Sequence, residues 1–120
     1  MDRVKWFESN GKRILSIDYS GLKTSDELCS VLDESVKMNL NAPGKILTLI
    51  NFSNTALSSE FMDKVGRAGK EVLDARAEKV AILGVTGVKS VLFQGYLRIT
   101  GAKTTRLFDN EADAMKYLVS

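Results

Sequence analysis

The 120 residues predict an α/β fold in one domain, 1–120: a mixed, mostly parallel sheet with elements in the order β-β-α-β-α-β-α-β-α. Three observations carry this. Ile46-Leu47-Thr48-Leu49-Ile50 and Val80-Ala81-Ile82-Leu83-Gly84-Val85 are short, almost unbroken apolar runs, the pattern of strands covered on both faces. Each is followed by apolar residues at helical spacing. The chain also opens with two strand-like runs on either side of Asn10-Gly11, a dipeptide that tolerates both positive φ angles of a type I′ turn.

That hairpin joins Val4–Glu8 to Arg13–Tyr19. In its second strand Leu15, Ile17 and Tyr19 share one face and Ile14, Ser16 and Asp18 the other, so one side of the hairpin is expected to meet the core. Thr24 and Glu27 have the spacing of a capping box, and the helix it starts carries Leu28, Val31, Leu32, Ser35, Val36 and Leu40 as its apolar stripe. Asn41-Ala42-Pro43-Gly44 ends that helix, because proline lacks a donor and turns its predecessor away from helical geometry. The run 45–52 is a strand expected to pair in parallel with 80–85. Polar residues 53–59 then form a loop, and Phe61, Val65, Ala68, Val72 and Leu73 mark a helix to about Arg76, with Gly66 and Gly69 inside it.

Val80–Val85 reads as a central strand, and Val88, Val91, Leu92, Tyr96 and Ile99 as the stripe of the helix after it, with Gly101 as its stop. Lys103–Phe108 is less apolar and suits a sheet edge. Asp109 caps a last helix with Ala112, Met115, Leu118 and Val119 as its stripe. The expected core includes Ile17, Leu47, Leu49, Val80, Ile82, Leu83, Leu92 and Tyr96.

Composition narrows function mainly by exclusion. Hydrophobic content of 44% and charged content of 27% are those of an ordinary globular domain. No apolar run reaches the roughly 20 residues of a bilayer span, and the first residues lack the apolar core of a signal peptide, so no membrane span and a cytoplasmic location are expected. The chain contains no histidine and one cysteine, Cys29, which removes Ser-His-Asp and Cys-His catalysis and structural zinc together. Cys29 reads as a packed thiol among Leu28, Val31 and Leu32. No constellation calls for a cofactor, and the expected class is a binding protein that is not an enzyme.

Gly84-Val85-Thr86-Gly87-Val88-Lys89-Ser90 departs from a phosphate loop, which needs four residues between its glycines and lysine directly after the second. What survives is a glycine turn opening a helix, whose backbone N–H groups suit an anion. Thr86, Gly87, Lys89 and Arg98 are therefore candidate anion-binding residues. Charge supports that region: Lys79, Lys89, Arg98, Lys103 and Arg106 are positive and nothing between Lys79 and Arg106 is negative, although the whole chain carries only +2. Five charges without interleaved aromatics do not make a nucleic-acid surface, and the first reading of them is a solvated face clustered by chance; a functional patch would have an acidic protein or a phosphorylated small molecule as its target.

The hairpin, Ile46–Phe52 with its loop to Ser58-Ser59-Glu60-Phe61-Met62, Ala81–Gly87, and the ending Leu107-Phe108-Asp109-Asn110-Glu111-Ala112-Asp113-Ala114-Met115-Lys116-Tyr117-Leu118 together resemble the SpoIIAA-like branch of the STAS superfamily over essentially the whole chain. The resemblance implies a mixed sheet backed by helices and a regulatory role by protein–protein contact, as in anti-sigma-factor antagonists and the STAS domains of anion transporters. In phosphorylation-controlled members a serine or threonine, preceded by Asp and followed by Gly, opens the helix after the third strand. Ser58 lies closest to that position and is the candidate phosphoacceptor. Ala56-Leu57 precede it and Ser59-Glu60 follow it, so the flanking pattern is not the family's. Likeness to CRAL-TRIO lipid carriers implies an alternative, a carrier or sensor of a small apolar or anionic ligand, with Phe61, Met62, Leu92, Phe93 and Tyr96 lining a gap between helices. Self-association as a homodimer is expected from the edge strand 103–108 and from Trp6 on an edge strand.

Overall fold

Asn10 and Gly11 both take positive φ, 52° and 76°, and the turn they make brings β1 (Val4–Ser9) antiparallel onto β2 (Lys12–Asp18). The structure is a computed structural model and describes residues 3–85 and 104–120. After β2 come α1 (Ser25–Asn41), β3 (Ile46–Asn51), α2 (Ser59–Ala68), a π turn (Gly69–Leu73), the single turn α3 (Asp74–Arg76), β4 (Ala77–Leu83), β5 (Thr105–Phe108) and α4 (Glu111–Val119). The described strands form one five-stranded sheet in the order β1-β2-β3-β4-β5, with β2 to β5 parallel. The helix expected over 88–100, with Leu92, Tyr96 and Gly101, lies outside the described residues.

The capping box forms as the sequence predicts. The Thr24 hydroxyl accepts the Glu27 amide at 3.3 Å and donates to the Glu27 carboxylate at 2.9 Å. The stripe of α1 differs at its end: Leu40 is 53% exposed, and Asn39 is buried in its place. Asn39 follows Leu28, Val31, Leu32 and Ser35 at the helical period, whereas Leu40 has rotated off that line. Its amide is satisfied by donating to the Ser35 carbonyl at 2.8 Å, and its own carbonyl accepts from Arg76 at 3.1 Å.

Alternation along the strands sends side chains into two cores. Leu15, Ile17, Ile46 and Ile82 face α1 and α2, while Ile14, Leu47, Leu49, Ala81 and Leu83 face Ala114 and Leu118 of α4. The expectation that the hairpin buries one side only is therefore corrected. Ile14 has no exposed surface, because α4 covers the second face. Ser16 and Asp18 at the far end of that face are half-buried.

Of the expected core, Ile17, Leu47, Leu49, Ile82 and Leu83 are buried, and Val80 is only half-buried. β4 begins at Ala77, before the apolar run, since Ala77 and Lys79 are needed as partners for Ile46 and Leu47 across a bulge. It stops at Leu83, and Gly84-Val85 leave the sheet. The middle strand is β3, and β4 lies between it and the edge strand β5. Trp6 is on the other edge, half-buried beneath the Arg13 guanidinium, which sits 4.3 Å from the ring centroid. Cys29 is partly buried against the first core.

Candidate functional site

Parallel strands β2, β3 and β4 end side by side, and the loops that leave them are tied into one surface. Tyr19 N donates to Asn51 O at 2.9 Å and Phe52 N to Leu83 O at 2.9 Å, carrying the ladder one residue past the strands. Gly21 N then donates to Ser53 O and Ala56 N to Leu22 O, so the loop after β3 is stitched to the loop after β2. The Asn51 side chain accepts the Ser53 amide at 2.9 Å, a local turn that competes with further extension of the strand. Thr55 Oγ1 donates to Tyr19 O at 2.8 Å. Lys23 Nζ reaches both oxygens of Asn54, at 2.8 and 3.0 Å, and holds that residue at φ 55°. Gly84 closes the other side with φ 79°, where a Cβ would overlap the Ser53 backbone.

On this edge Ser58 is the N-cap of α2. Its Oγ accepts the Phe61 amide at 3.1 Å and also accepts the Ser25 hydroxyl at 2.7 Å. Ser25 is the first residue of α1, so the two helix N-termini meet through this hydroxyl pair. Both dipoles turn their positive ends here, a setting that favours negative charge. Glu27 in the first turn of α1 reflects it. Hydrogen bonds from the Thr24 side chain and from the Lys23 and Thr24 backbone, with Arg3 nearby, hold its carboxyl below the usual range. Ser58 is half-buried and Ser59 exposed, and with no histidine in the chain neither has an imidazole to take its proton.

The other sequence candidates divide. Thr86, Gly87, Lys89 and Arg98 lie outside the described residues, as does Lys103. Lys79 and Arg106 do come together, but at the last turn of α4, away from the edge where Ser58 sits. Lys79 Nζ is 5.3 Å and Arg106 Cζ 5.0 Å from the Tyr117 ring centroid, and Lys79 Nζ donates to Tyr117 O at 3.1 Å and Ser120 O at 2.7 Å.

Of the residues expected to line a gap between helices, two are described. Phe61 is completely buried, with Tyr19 5.3 Å and Phe52 6.1 Å away between ring centroids, and Met62 packs partly buried against the same cluster. Leu92, Phe93 and Tyr96 lie outside the described residues. A cavity does exist elsewhere, between α1, the π turn and the sheet, and one of its polar lining residues is Thr48. The sequence shows Thr48 only as a threonine in an apolar strand, a common occupant of strands, so its site went unseen.

Among the described residues there is no cluster of three side chains able to hold a metal ion, and no helix is long and apolar enough to cross a membrane. No family model, curated protein or solved structure matches this chain.

Proposed function

We propose that the chain is a non-catalytic regulatory module of the SpoIIAA-like, STAS-like kind, which acts by binding a protein partner through the surface from Ser53 to Met62. The observation that carries this reading is the place of Ser58. One hydroxyl caps α2 and joins it to α1, at the outer edge of a loop whose backbone is fixed by Lys23, Thr55 and Gly21. A loop held this firmly presents its exposed residues, Ser53, Asn54, Ala56, Ser59 and Glu60, in one conformation, which lowers the ordering cost of binding.

A phosphate on Ser58 would sit where two helix dipoles favour it, and it would replace the Ser25 contact with three strong acceptor oxygens. Modification would thus alter the seam between α1 and α2 as well as the charge of the partner face. The resemblance to phosphorylation-controlled STAS domains supports the same position. Pull-downs from the native cell with wild type and Ser58→Asp test the reading. Wild type is expected to retain a partner that Ser58→Asp loses or exchanges; identical partner sets, or none, would remove the switch.

A further inference from the structure

Beneath α1 and the π turn the first sheet face leaves a cavity of about 90 Å³, walled chiefly by Ile17, Leu32, Ile50, Val65, Val80 and Ile82. Its polar groups among the described residues are Tyr19, Ser35, Asn39, Thr48 and Thr105, the last half-buried at the start of β5. Two of these have their bonds within α1: Ser35 Oγ donates to Leu32 O at 2.9 Å, and the Asn39 amide donates to Ser35 O. The Tyr19 phenol is held neutral, since burial raises it well above its ordinary value with the Ser35 hydroxyl opposing only in part.

Thr48 is different. It is 6% exposed and lies in the middle strand, and its hydroxyl bonds to no described residue. Among the described residues no buried side-chain polar atom is sealed off without a partner, so the open side of this oxygen is the cavity. A hydroxyl unpaired in an apolar wall is unfavourable, and valine would fill the same shape without it. The π turn begins at Gly69, which also borders the cavity; π turns inside helices recur at functional sites.

We propose that this cavity binds a small neutral molecule, a short aliphatic body whose single hydroxyl or carbonyl hydrogen-bonds Thr48. The size argument is direct: the volume exceeds the roughly 10–15 Å³ that one water needs on this measure and falls short of the roughly 150 Å³ that accepts benzene. The charge argument is equally direct, since among the described residues no charged side chain borders the cavity to compensate an ion. This site is separate from the loop at Ser58 and does not depend on it.

Titration of the ¹³C-methyl-labelled full chain with ethanol, and with acetate and ethylammonium as charged counterparts, tests the proposal by NMR. Saturable shifts of the Ile17, Ile50, Val65 and Ile82 methyl signals are expected with the alcohol, and at least about tenfold weaker binding of either ion. Thr48→Val should weaken the alcohol about tenfold, while Thr48→Ser, which keeps the hydroxyl, should hold it within about threefold. Absence of saturable shifts, ions binding as well as the alcohol, or undiminished binding by Thr48→Val would overturn it. If Thr48→Val does not fold, the wild-type and Thr48→Ser titrations decide the matter.

Discussion

Replacing Ser58 by alanine removes, in one step, the acceptor for the Phe61 amide and for the Ser25 hydroxyl. Loss of an N-cap costs about 1 kcal/mol, and a hydroxyl pair of this kind contributes about 0.5–1.5 kcal/mol. Ser25→Ala loses only the second. Urea unfolding of Ser58→Ala, Ser25→Ala and the double variant should therefore show Ser58→Ala as the more destabilised single variant, and a double variant less destabilised than the two losses added. Strict additivity would mean that the two helix starts are energetically independent. At this scale the sequence was legible where a residue type has one structural use. Asn10-Gly11 and Thr24 with Glu27 could hardly serve otherwise. Ser58 could be placed at a helix start, but its bond to Ser25, 33 positions away, has no local signal.

Helix α1 shows how an element's chemistry sets a pH response. The Glu27 carboxylate is bound by the Thr24 hydroxyl and by backbone amides, so its folded pKa lies below the ordinary 4.5. A depressed carboxyl stabilises the fold fully above its unfolded pKa, and the contribution fades as pH falls through the folded value. Glu27→Gln should consequently lower the melting temperature near pH 7 and converge with wild type in strong acid. Thermal melts at pH 7, 5 and 3 check this, and a gap that persists unchanged at pH 3 would contradict it. The element boundaries of α1 were readable from its caps and from Pro43. Its last turn was not, because Leu40 is the more apolar residue and only the sheet beneath decides that Asn39 faces inward. The π turn at Gly69–Leu73 was equally hidden: the helix to Arg76 was legible, but the apolar stripe tolerates one extra residue per turn without announcing it.

Across the whole molecule, the sheet separates a large core under α1 and α2 from a smaller one under α4. The larger contains the trio Tyr19, Phe52 and Phe61, in which Tyr19 and Phe52 stack at 4.7 Å. Because burial raises the Tyr19 phenol well above its ordinary 10.0, the fold holds it neutral while the unfolded chain releases the proton. The stability this gives is complete below the unfolded pKa and is lost as pH rises beyond it, by about 1.4 kcal/mol per pH unit. Tyr19→Phe should lose less melting temperature than wild type between pH 8 and pH 11, measured by circular dichroism; equal losses would place the alkaline sensitivity elsewhere. The parallel pairing of β3 with β4 and the edge place of β5 were legible from how apolar each run is. Covering of the second face was not, since Ile14 in a mostly polar register looks solvent-facing until α4 is set over it.

Strand order and chain order coincide throughout the described sheet. Each strand finds its partner in the one made just before it, so none must wait for a later segment to be inserted between neighbours. As the chain leaves the ribosome the hairpin can form first, β3 can add to its open side once α1 has closed over, and each further unit extends an existing edge. Assembly of this kind asks for short loop closures at every step, and each pairing is rewarded as soon as it is made.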